Sequence, residues 1–147
     1  MCITGIPATG KTTLCKMLNY SGIQCASLNE VLKNTGIISD GIVDIDQLRR
    51  LELKYDVVES HYSHMIHCKY VIIIKDDENI LRKRMEQRGY GNEKINENIE
   101  AQRSDIIYYE ALDLLPENHI FTVNARGMDI NELYDTVKKL INELLKK

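Results

Sequence analysis

The sequence predicts an α/β fold in which a parallel sheet of five strands is covered by helices on both faces. Short apolar runs alternate with longer segments of helical periodicity along the chain, which is the pattern of strand–helix–strand units. Residues 69–75, KYVIIIK, are rich in β-branched residues and continuously apolar, as expected for a parallel strand that is buried on both faces. The 147 residues suit one compact domain, which we take as residues 1–147.

Each predicted strand is a short apolar run, and each predicted helix is a longer segment between two runs. The strands are predicted at residues 1–4, 24–27, 55–59, 69–75 and 119–124. The helices are predicted at residues 12–19, 29–33, 46–54, 78–88, 93–115 and 129–145. The last helix has an amphipathic pattern, because six aliphatic residues recur at helical spacing: Ile130, Leu133, Val137, Leu140, Ile141 and Leu144.

The composition excludes several classes of protein. It is 44% hydrophobic and 28% charged, which is ordinary for a soluble globular protein. The longest aliphatic run, residues 71–74, is far too short to cross a bilayer, and no leader precedes the first Gly-rich segment. A net charge of −3 gives no global attraction to nucleic acid or to an anionic membrane. We therefore expect no membrane partner and no direct nucleic-acid binding, and we take a monomer as the default.

Four cysteines are scattered along the chain without CxxC spacing: Cys2, Cys15, Cys25 and Cys68. This spacing supports neither a disulfide framework nor a zinc site. We expect reduced thiols that are mostly buried as small hydrophobic side chains, in an intracellular protein.

Residues 5–12, GIPATGKT, match the phosphate-binding pattern G-x-x-x-x-G-K-[ST]. Glycines let backbone N–H groups wrap a phosphate, Lys11 places a cation near the β and γ phosphates, and Thr12 offers a hydroxyl to Mg²⁺. An apolar run precedes the motif and a helical pattern follows it, so the helix N-terminus points at the anion. The fold is therefore expected to be the three-layer P-loop NTPase fold. Its expected ATP-binding residues are Gly5, Pro7, Ala8, Thr9, Gly10, Lys11, Thr12 and Thr13.

A P-loop alone leaves GTPases, motor ATPases and small-molecule kinases open. The chain is too short for a typical motor domain. It has no N-K-x-D motif to read guanine, which disfavours a GTPase.

An acidic residue closes the third strand, in the segment VVESH at residues 57–61. Glu59 is the candidate to hold Mg²⁺ through water, together with Thr12, or to activate a nucleophile. A solvated loop acid is the alternative. His61, two residues further on, is a candidate catalytic residue, although a lone histidine is more often a surface or packing residue.

A basic segment at residues 82–94 contains five basic and two acidic residues in a protein that is negative overall. Arg84 and Arg88 are four residues apart, so they share one helix face and could together neutralise a transferring phosphoryl group. Gly89 and Gly91 then interrupt the helix and could act as hinges of a moving lid, at about residues 84–100. The alternative is a charged helix that is merely solvated.

Three segments together resemble the small adenylate kinases of the isoenzyme 6 type, a P-loop nucleoside monophosphate kinase family of archaea and eukaryotes. They are GIPATGKTT, VVESH and YVIIIKDDENILRKRMEQRGYGNEKINENIEAQ. The resemblance covers most of the chain and is most specific at residues 81–99. It implies a five-stranded parallel sheet, an AMP-binding segment at about residues 29–54 and a short lid. It also implies Mg²⁺-dependent transfer of the γ-phosphate of ATP to AMP, giving two ADP, in the cytoplasm or, in a eukaryote, in the nucleus.

The resemblance assigns catalytic roles residue by residue. Lys11 and Thr12 keep the P-loop roles, and Arg84 and Arg88 match the lid arginines that contact ATP and the transferring phosphates. Glu59 and His61 match an acid-x-His pattern in which the family usually has Asp, so the longer Glu is expected to shift a metal-bound water and affect rate.

The resemblance also assigns nucleotide-binding residues. Asn29 and Glu30 fall where the family often has Gly-Asp before its AMP-binding helix. Lys33 falls at a family Arg that touches the AMP phosphate, and Lys supplies the charge without the planar fork. Asn124 and Arg126 lie after the fifth strand, where related kinases place a loop that faces the adenine. The acceptor is expected to be AMP, with dAMP and CMP left open.

A second function is implied by the same resemblance, because family members resemble weak ATPases that act as assembly factors for the small ribosomal subunit. Residues 29–60 contain seven acidic and four basic residues. They could form a docking face for a basic ribosomal protein, or a solvated surface.

Overall fold

The computed structural model describes residues 1–146, so the last residue of the predicted domain, Lys147, lies outside the described part. Seven strands are present: β1 (Cys2–Thr4), β2 (Cys25–Ser27), β3 (Ile38–Ser39), β4 (Ile42–Val43), β5 (Val57–Glu59), β6 (Val71–Lys75) and β7 (Ile120–Asn124). The α-helices are α1 (Lys11–Tyr20), α2 (Leu28–Val31), α3 (Ile45–Arg49), α4 (Glu78–Gln87), α5 (Asn92–Arg103), α6 (Ile106–Leu112) and α7 (Ile130–Leu145). Two 3₁₀ turns lie at Ser63–Met65 and Glu117–His119.

Five strands form one sheet in the order β2-β5-β1-β6-β7, and every neighbouring pair is parallel. The predicted five-stranded parallel α/β fold is therefore confirmed. β1 is the central strand, and the loop that leaves its carboxyl end leads directly into α1. A strand order that reverses beside β1 creates a crevice at this end of the sheet, where ligands of open α/β folds bind.

The sheet is covered on both faces, which explains why its strands are continuously apolar. The first four residues of β6 are all buried. One core cluster joins α1 and α7 to one face, and a second joins α2, α3 and α6 to the other. A third, smaller cluster packs α4 and α5 against the loop after β1, through Leu81, Met85, Ile95 and Ile99.

Two predicted helices are shorter than their patterns indicated. The predicted helix at residues 93–115 is two helices, α5 and α6, because Asp105 between them has a left-handed φ of 54°. The predicted helix at residues 46–54 ends as α3 at Arg49, capped at its start by the Asp44 side chain, which accepts a hydrogen bond from the backbone N–H of Gln47.

A two-stranded hairpin, β3 and β4, was not predicted. Ile38 pairs with Val43 and Ser39 pairs with Ile42, which leaves Asp40 and Gly41 as a two-residue turn. Both turn residues have positive φ, 52° and 76°. An Asp-Gly pair between apolar residues is a strong hairpin signal, so the sequence did contain the information.

The four cysteines are buried, as predicted, but the expectation of reduced thiols is wrong. Cys2 is disulfide-bonded to Cys68, and Cys15 to Cys25. The Cα atoms of the two pairs are 5.9 and 5.4 Å apart, within the normal range for a disulfide. The fold brings each pair together across adjacent elements, which linear spacing does not reveal. None of the helices within residues 1–146 has the length and apolar character needed to span a bilayer.

Candidate nucleotide-binding site

The loop at residues 5–10 connects β1 to α1 and depends on its glycines. Gly5 has a φ of 148°, and a Cβ built there would lie 2.5 Å from the carbonyl oxygen of Ile74 on β6. Gly10 has a φ of 93° and is the residue before α1. Both positions favour glycine, one because the neighbouring strand is so close and both because of the positive φ. The predicted Gly-rich loop is thus built against the central strands of the sheet.

Lys11 folds back over this loop and is buried. Its Nζ donates hydrogen bonds to the carbonyl oxygens of Gly5 at 2.9 Å and Ile6 at 2.8 Å, and to the Thr9 hydroxyl at 3.3 Å. Burial lowers the pKa of Lys11 to about 8, the Glu59 carboxylate opposes this shift, and Arg88 adds to it. A buried cation with a weakened hold on its proton is stabilised by an arriving anion, as expected in a phosphate site.

Thr12 and Glu59, the predicted metal-holding pair, lie together. The Thr12 hydroxyl donates to the Glu59 carboxylate at 3.3 Å, and Glu59 is buried at the carboxyl end of β5. Hydroxyl and carboxylate oxygens are the type of ligand that Mg²⁺ prefers. Within residues 1–146, no group of three or more His, Cys, Asp or Glu side chains is arranged to hold a metal. An ion bound by this pair would therefore take its other ligands from water and phosphate oxygens.

His61 lies beside this pair and faces positive charge. Burial lowers the pKa of its imidazole, and Lys11, Lys94 and His64 lower it further. Its ring packs edge-on against Tyr62, with the centroids 4.8 Å apart. The surroundings of His61 therefore favour its neutral imidazole over the charged form.

A buried polar network that the sequence did not predict lies behind the loop. The Thr4 hydroxyl is 3.0 Å from Nδ1 of His64, and Nε2 of His64 is 3.1 Å from the Glu110 carboxylate. Burial lowers the pKa of His64, and Glu110 opposes that shift. A neutral imidazole that donates from Nε2 to Glu110 accepts at Nδ1 from Thr4. This network ties α6 to the strand that enters the phosphate loop.

Two cavities flank the loop. The α7-side cavity, about 240 Å³, lies between the loop, α4 and α7; it is lined by Ala8, Thr9, Gly10, Thr13, Asp76, Arg84, Arg88, Ala125, Met128, Asp129, Ile130 and Leu133. The β5-side cavity, about 140 Å³, lies between the loop, β5 and the turn after α4; it is lined by Pro7, Ala8, Gly10, Lys11, Thr12, Asn29, Glu59, Ser60, His61, Arg88 and Tyr90. Three residues line both cavities: Ala8, Gly10 and Arg88.

The two predicted lid arginines have different surroundings. Nη1 of Arg84 donates to the carbonyl oxygen of Ala8 at 3.0 Å and to the Asp76 carboxylate at 3.3 Å. Arg88 caps the C-terminus of α4, is exposed, and reaches the boundary between the two cavities. Gly89 follows with a φ of 82°, so the chain turns sharply before α5.

The predicted AMP-binding residues differ in their position relative to the two cavities. Asn29 lines the β5-side cavity, and its side-chain oxygen accepts a hydrogen bond from the Tyr62 hydroxyl at 2.5 Å. Glu30 and Lys33 are exposed on and after α2, and neither is among the residues that line the two cavities.

Asn124 and Arg126, the predicted adenine-facing residues, do not line the α7-side cavity. The Asn124 side chain accepts the Arg126 backbone N–H at 3.1 Å, and the Arg126 guanidinium lies 3.7 Å from Asp77. Their neighbour Ala125 does line it. Buried and exposed residues alternate at the end of β7. A prediction that is wrong by one residue therefore selects a side chain on the opposite face of the strand.

Sequence reasoning also missed Asp76, Ser60 and Tyr90. Asp76 and Ser60 directly follow buried parallel strands, and the carboxyl ends of such strands form the ligand edge of the sheet. That position was the signal that could have found them.

A central strand that leads through a Gly-rich loop into a helix N-terminus, with a buried lysine on the loop and cavities on both sides, defines a P-loop nucleotide-binding protein. A family model described as an AAA domain matches residues 1–105. A Thermoplasma acidophilum protein named "Putative adenylate kinase" is 43% identical over 144 residues, covering 96% of this chain and 96% of the relative. A Methanothermobacter thermautotrophicus protein of the same name is 33% identical over 154 residues, covering 97% and 89%. The chain belongs to this archaeal family of P-loop kinases.

A solved structure shares the fold. The crystal structure of an uncharacterized protein from Eubacterium ventriosum superimposes with a TM-score of 0.57 over 97% of each chain, at 16% sequence identity. The fold class is therefore shared well beyond recognisable sequence similarity.

Proposed function

We propose that this protein is an adenylate kinase that transfers the γ-phosphate of ATP to AMP, giving two ADP, with Mg²⁺. The observation that carries the proposal is the pair of cavities on opposite sides of one phosphate loop, with Arg88 at their boundary. A hydrolase needs one nucleotide pocket, whereas a phosphotransferase needs room for a donor and an acceptor. The names of the relatives support the same reaction.

The α7-side cavity fits the donor. Its wall opposite the loop is mainly apolar, with Ala125, Met128 and Leu133 available to contact a base, and its floor is the loop that receives phosphates. Lys11, Thr12 and Glu59 line the neighbouring β5-side cavity, so the terminal phosphates of the donor would extend over the loop to reach the Lys11 cation. Mg²⁺ bound near Thr12 and Glu59 would neutralise charge on the β- and γ-phosphate oxygens.

The β5-side cavity fits the acceptor. Asn29 and Tyr90 offer an amide and an aromatic ring at its rim, while Lys11 and Arg88 offer positive charge at its inner end. An acceptor phosphate placed there would meet the terminal phosphate of the donor beside Lys11 and Arg88, and phosphoryl transfer requires the two groups to be that close.

Arg88 touches the space through which the phosphoryl group passes. Its guanidinium stabilises charge on the equatorial oxygens in the transition state, when neither nucleotide fully neutralises them. α4 and α5 pack on the loop through Leu81, Met85 and Ile99, and they exclude water that would otherwise hydrolyse ATP. No strong general base is required.

The test is ADP production from ATP and Mg²⁺ with and without AMP, using Lys11→Ala as the inactive reference. The proposal requires that AMP raises the rate many-fold and that two ADP form per ATP consumed. The same assay with dAMP and CMP measures acceptor preference. Slow ADP formation that AMP does not change would refute the kinase proposal.

Nucleotide hydrolysis coupled to binding of a basic protein is the second candidate. Six of the seven acidic residues in the segment 29–60 are exposed: Glu30, Asp40, Asp44, Asp46, Glu52 and Asp56. Glu59 is buried and belongs to the nucleotide site instead. A pull-down with small-subunit ribosomal proteins tests this function independently of the kinase assay.

A further inference from the structure

Asp76 is a buried acid in the wall of the α7-side cavity, which the proposed function assigns to the donor. It directly follows β6, and only 8% of its surface is exposed. A carboxylate beside a bound triphosphate opposes binding by charge repulsion unless another group engages it. None of the steps proposed for phosphoryl transfer uses Asp76, so a buried carboxylate at this position needs another physical reason.

Every polar group of Asp76 has a partner that fixes its position. One carboxylate oxygen accepts the Asp77 backbone N–H at 2.7 Å, and the other accepts Nη1 of Arg84 at 3.3 Å. The Asp76 backbone N–H donates to the Gln102 side-chain oxygen at 3.3 Å, and the Gln102 amide donates to the Asp76 carbonyl at 2.9 Å. Asp76 therefore joins the end of β6 to both lid helices, α4 and α5.

Arg84 carries this connection into the phosphate loop. The same Nη1 that contacts Asp76 donates to the carbonyl oxygen of Ala8 at 3.0 Å. Ala8 has a φ of 73°, a left-handed conformation that costs a non-glycine residue about 1–2 kcal/mol. A carbonyl and the following N–H point in opposite directions across a trans peptide, so holding the Ala8 carbonyl also fixes the N–H of Thr9.

We propose that Asp76 is a positioning residue that, through Arg84, holds the Ala8–Thr9 peptide of the phosphate loop in its binding arrangement before the donor arrives. Asp76 neutralises Arg84 and orients its guanidinium toward Ala8, so Arg84 acts on the loop and Arg88 remains for the phosphoryl group. This inference rests on the proposed function only for the identity of the donor.

The substitution Asp76→Asn separates this positioning role from simple charge repulsion, because the two predict opposite changes in ATP affinity. Loss of a negative charge from the cavity would tighten ATP binding if charge repulsion were its main effect. Loss of the charge-assisted bond to Arg84 frees the loop and weakens ATP binding, by about five- to tenfold in Kd. Isothermal titration calorimetry with ATP and Mg²⁺, without AMP, gives the sign directly.

The matched control is Glu78→Gln, two residues away. Glu78 forms an exposed ion pair with Arg103, lies outside both cavities, and loses the same unit of charge on substitution. Its ATP Kd should remain within about twofold of the parent value. A melting temperature for each variant reports stability separately. An Asp76→Asn protein that melts earlier but binds ATP with unchanged or tighter affinity would overturn the inference.

A double-mutant cycle with Ala8→Gly tests the route. Glycine adopts a φ of 73° without the penalty that alanine has, so the loop depends less on Arg84. The loss caused by Asp76→Asn should therefore shrink to about twofold in the Ala8→Gly background. An equal loss in both backgrounds would show that Asp76 does not act through Ala8, and would refute the proposal.

Two outcomes separate this inference from the proposed function. If the parent protein does not bind ATP, the proposed function fails. If the parent binds ATP and the Asp76→Asn protein binds it equally well or better, only the role of Asp76 fails. Should Asp76→Asn not fold, Asp76→Ser replaces it, because the serine hydroxyl can still accept the Asp77 N–H but carries no charge to hold Arg84. The same direction of change is required.

Discussion

If ATP binds as proposed, the buried Lys11 should make its affinity depend on pH. Its pKa is lowered to about 8, chiefly by burial, so the free protein loses this charge as pH rises through that value. Bound phosphate oxygens favour the charged form and raise the pKa of Lys11 in the complex. The contribution of Lys11 to ATP affinity is therefore complete below about pH 8 and is lost above it.

Simple linkage gives the magnitude. The protonated fraction of a group with a pKa of about 8 falls from about nine-tenths at pH 7 to about one-tenth at pH 9. ATP affinity should fall about tenfold over that interval, because only the protonated protein binds well. The γ-phosphate of ATP is already ionised there and contributes little to the change.

Calorimetric titrations of ATP across this range, in buffers of different ionisation enthalpy, measure both the affinity and the proton taken up. Lys11→Met should bind weakly and show no such dependence. Lys16→Met, an exposed lysine on the same helix, should retain the full dependence. An affinity that stays flat between about pH 7 and pH 9 in the parent protein would refute the argument from burial.

Three further substitutions test separate parts of the site. Arg88→Ala should lower kcat about 10²–10³-fold at nearly unchanged melting temperature. Arg82→Ala, in the same basic segment, should leave kcat unchanged. If the two variants have the same kcat, Arg88 takes no part in the chemical step. Gly5→Ala should lower the free energy of unfolding by about 2–4 kcal/mol in chemical denaturation. Gly91→Ala is the control and should lower it far less, because nothing lies within 4 Å of the added Cβ. Comparable losses in the two variants would contradict the close approach of Gly5 to Ile74. Glu59→Gln should lower kcat about 10²-fold and raise the Mg²⁺ concentration needed for half-maximal rate. A kcat and a Mg²⁺ dependence that both stay unchanged would exclude Glu59 from metal binding.

Much of the fold could be predicted because its sheet is buried on both faces. Strands such as β6 then read as continuous β-branched runs, and the loop after β1 carries its own glycine and lysine signature. The break at Asp105 was missed because apolar residues continue with helical spacing through it, and a left-handed residue other than glycine leaves no mark in that pattern. The cysteine pairs were missed because pairing depends on which elements become neighbours.

In the candidate site too, features set by the local sequence could be predicted, and features that depend on tertiary contacts could not. The spacing from Gly5 to Thr12 is local, so the sequence placed the loop and its lysine correctly. Glu59 could be placed because it ends a buried strand. Asn124 and Arg126 were placed by analogy on a segment where a one-residue shift exchanges the two faces, and Ala125 lines the cavity instead.

Arg84 and Arg88 illustrate why helical spacing alone does not assign a role. Residues four apart share a face, and both arginines do line the α7-side cavity. Their partners differ, however, because Arg84 lies within reach of a backbone carbonyl and a buried carboxylate, while Arg88 stands at the end of α4. A guanidinium that already has two oxygen partners has fewer donors left for phosphate than one at the mouth of both cavities. Charge on the transferring phosphoryl group is therefore expected to be stabilised mainly by the arginine with the freer side chain, Arg88, even though the sequence predicts the two as equals.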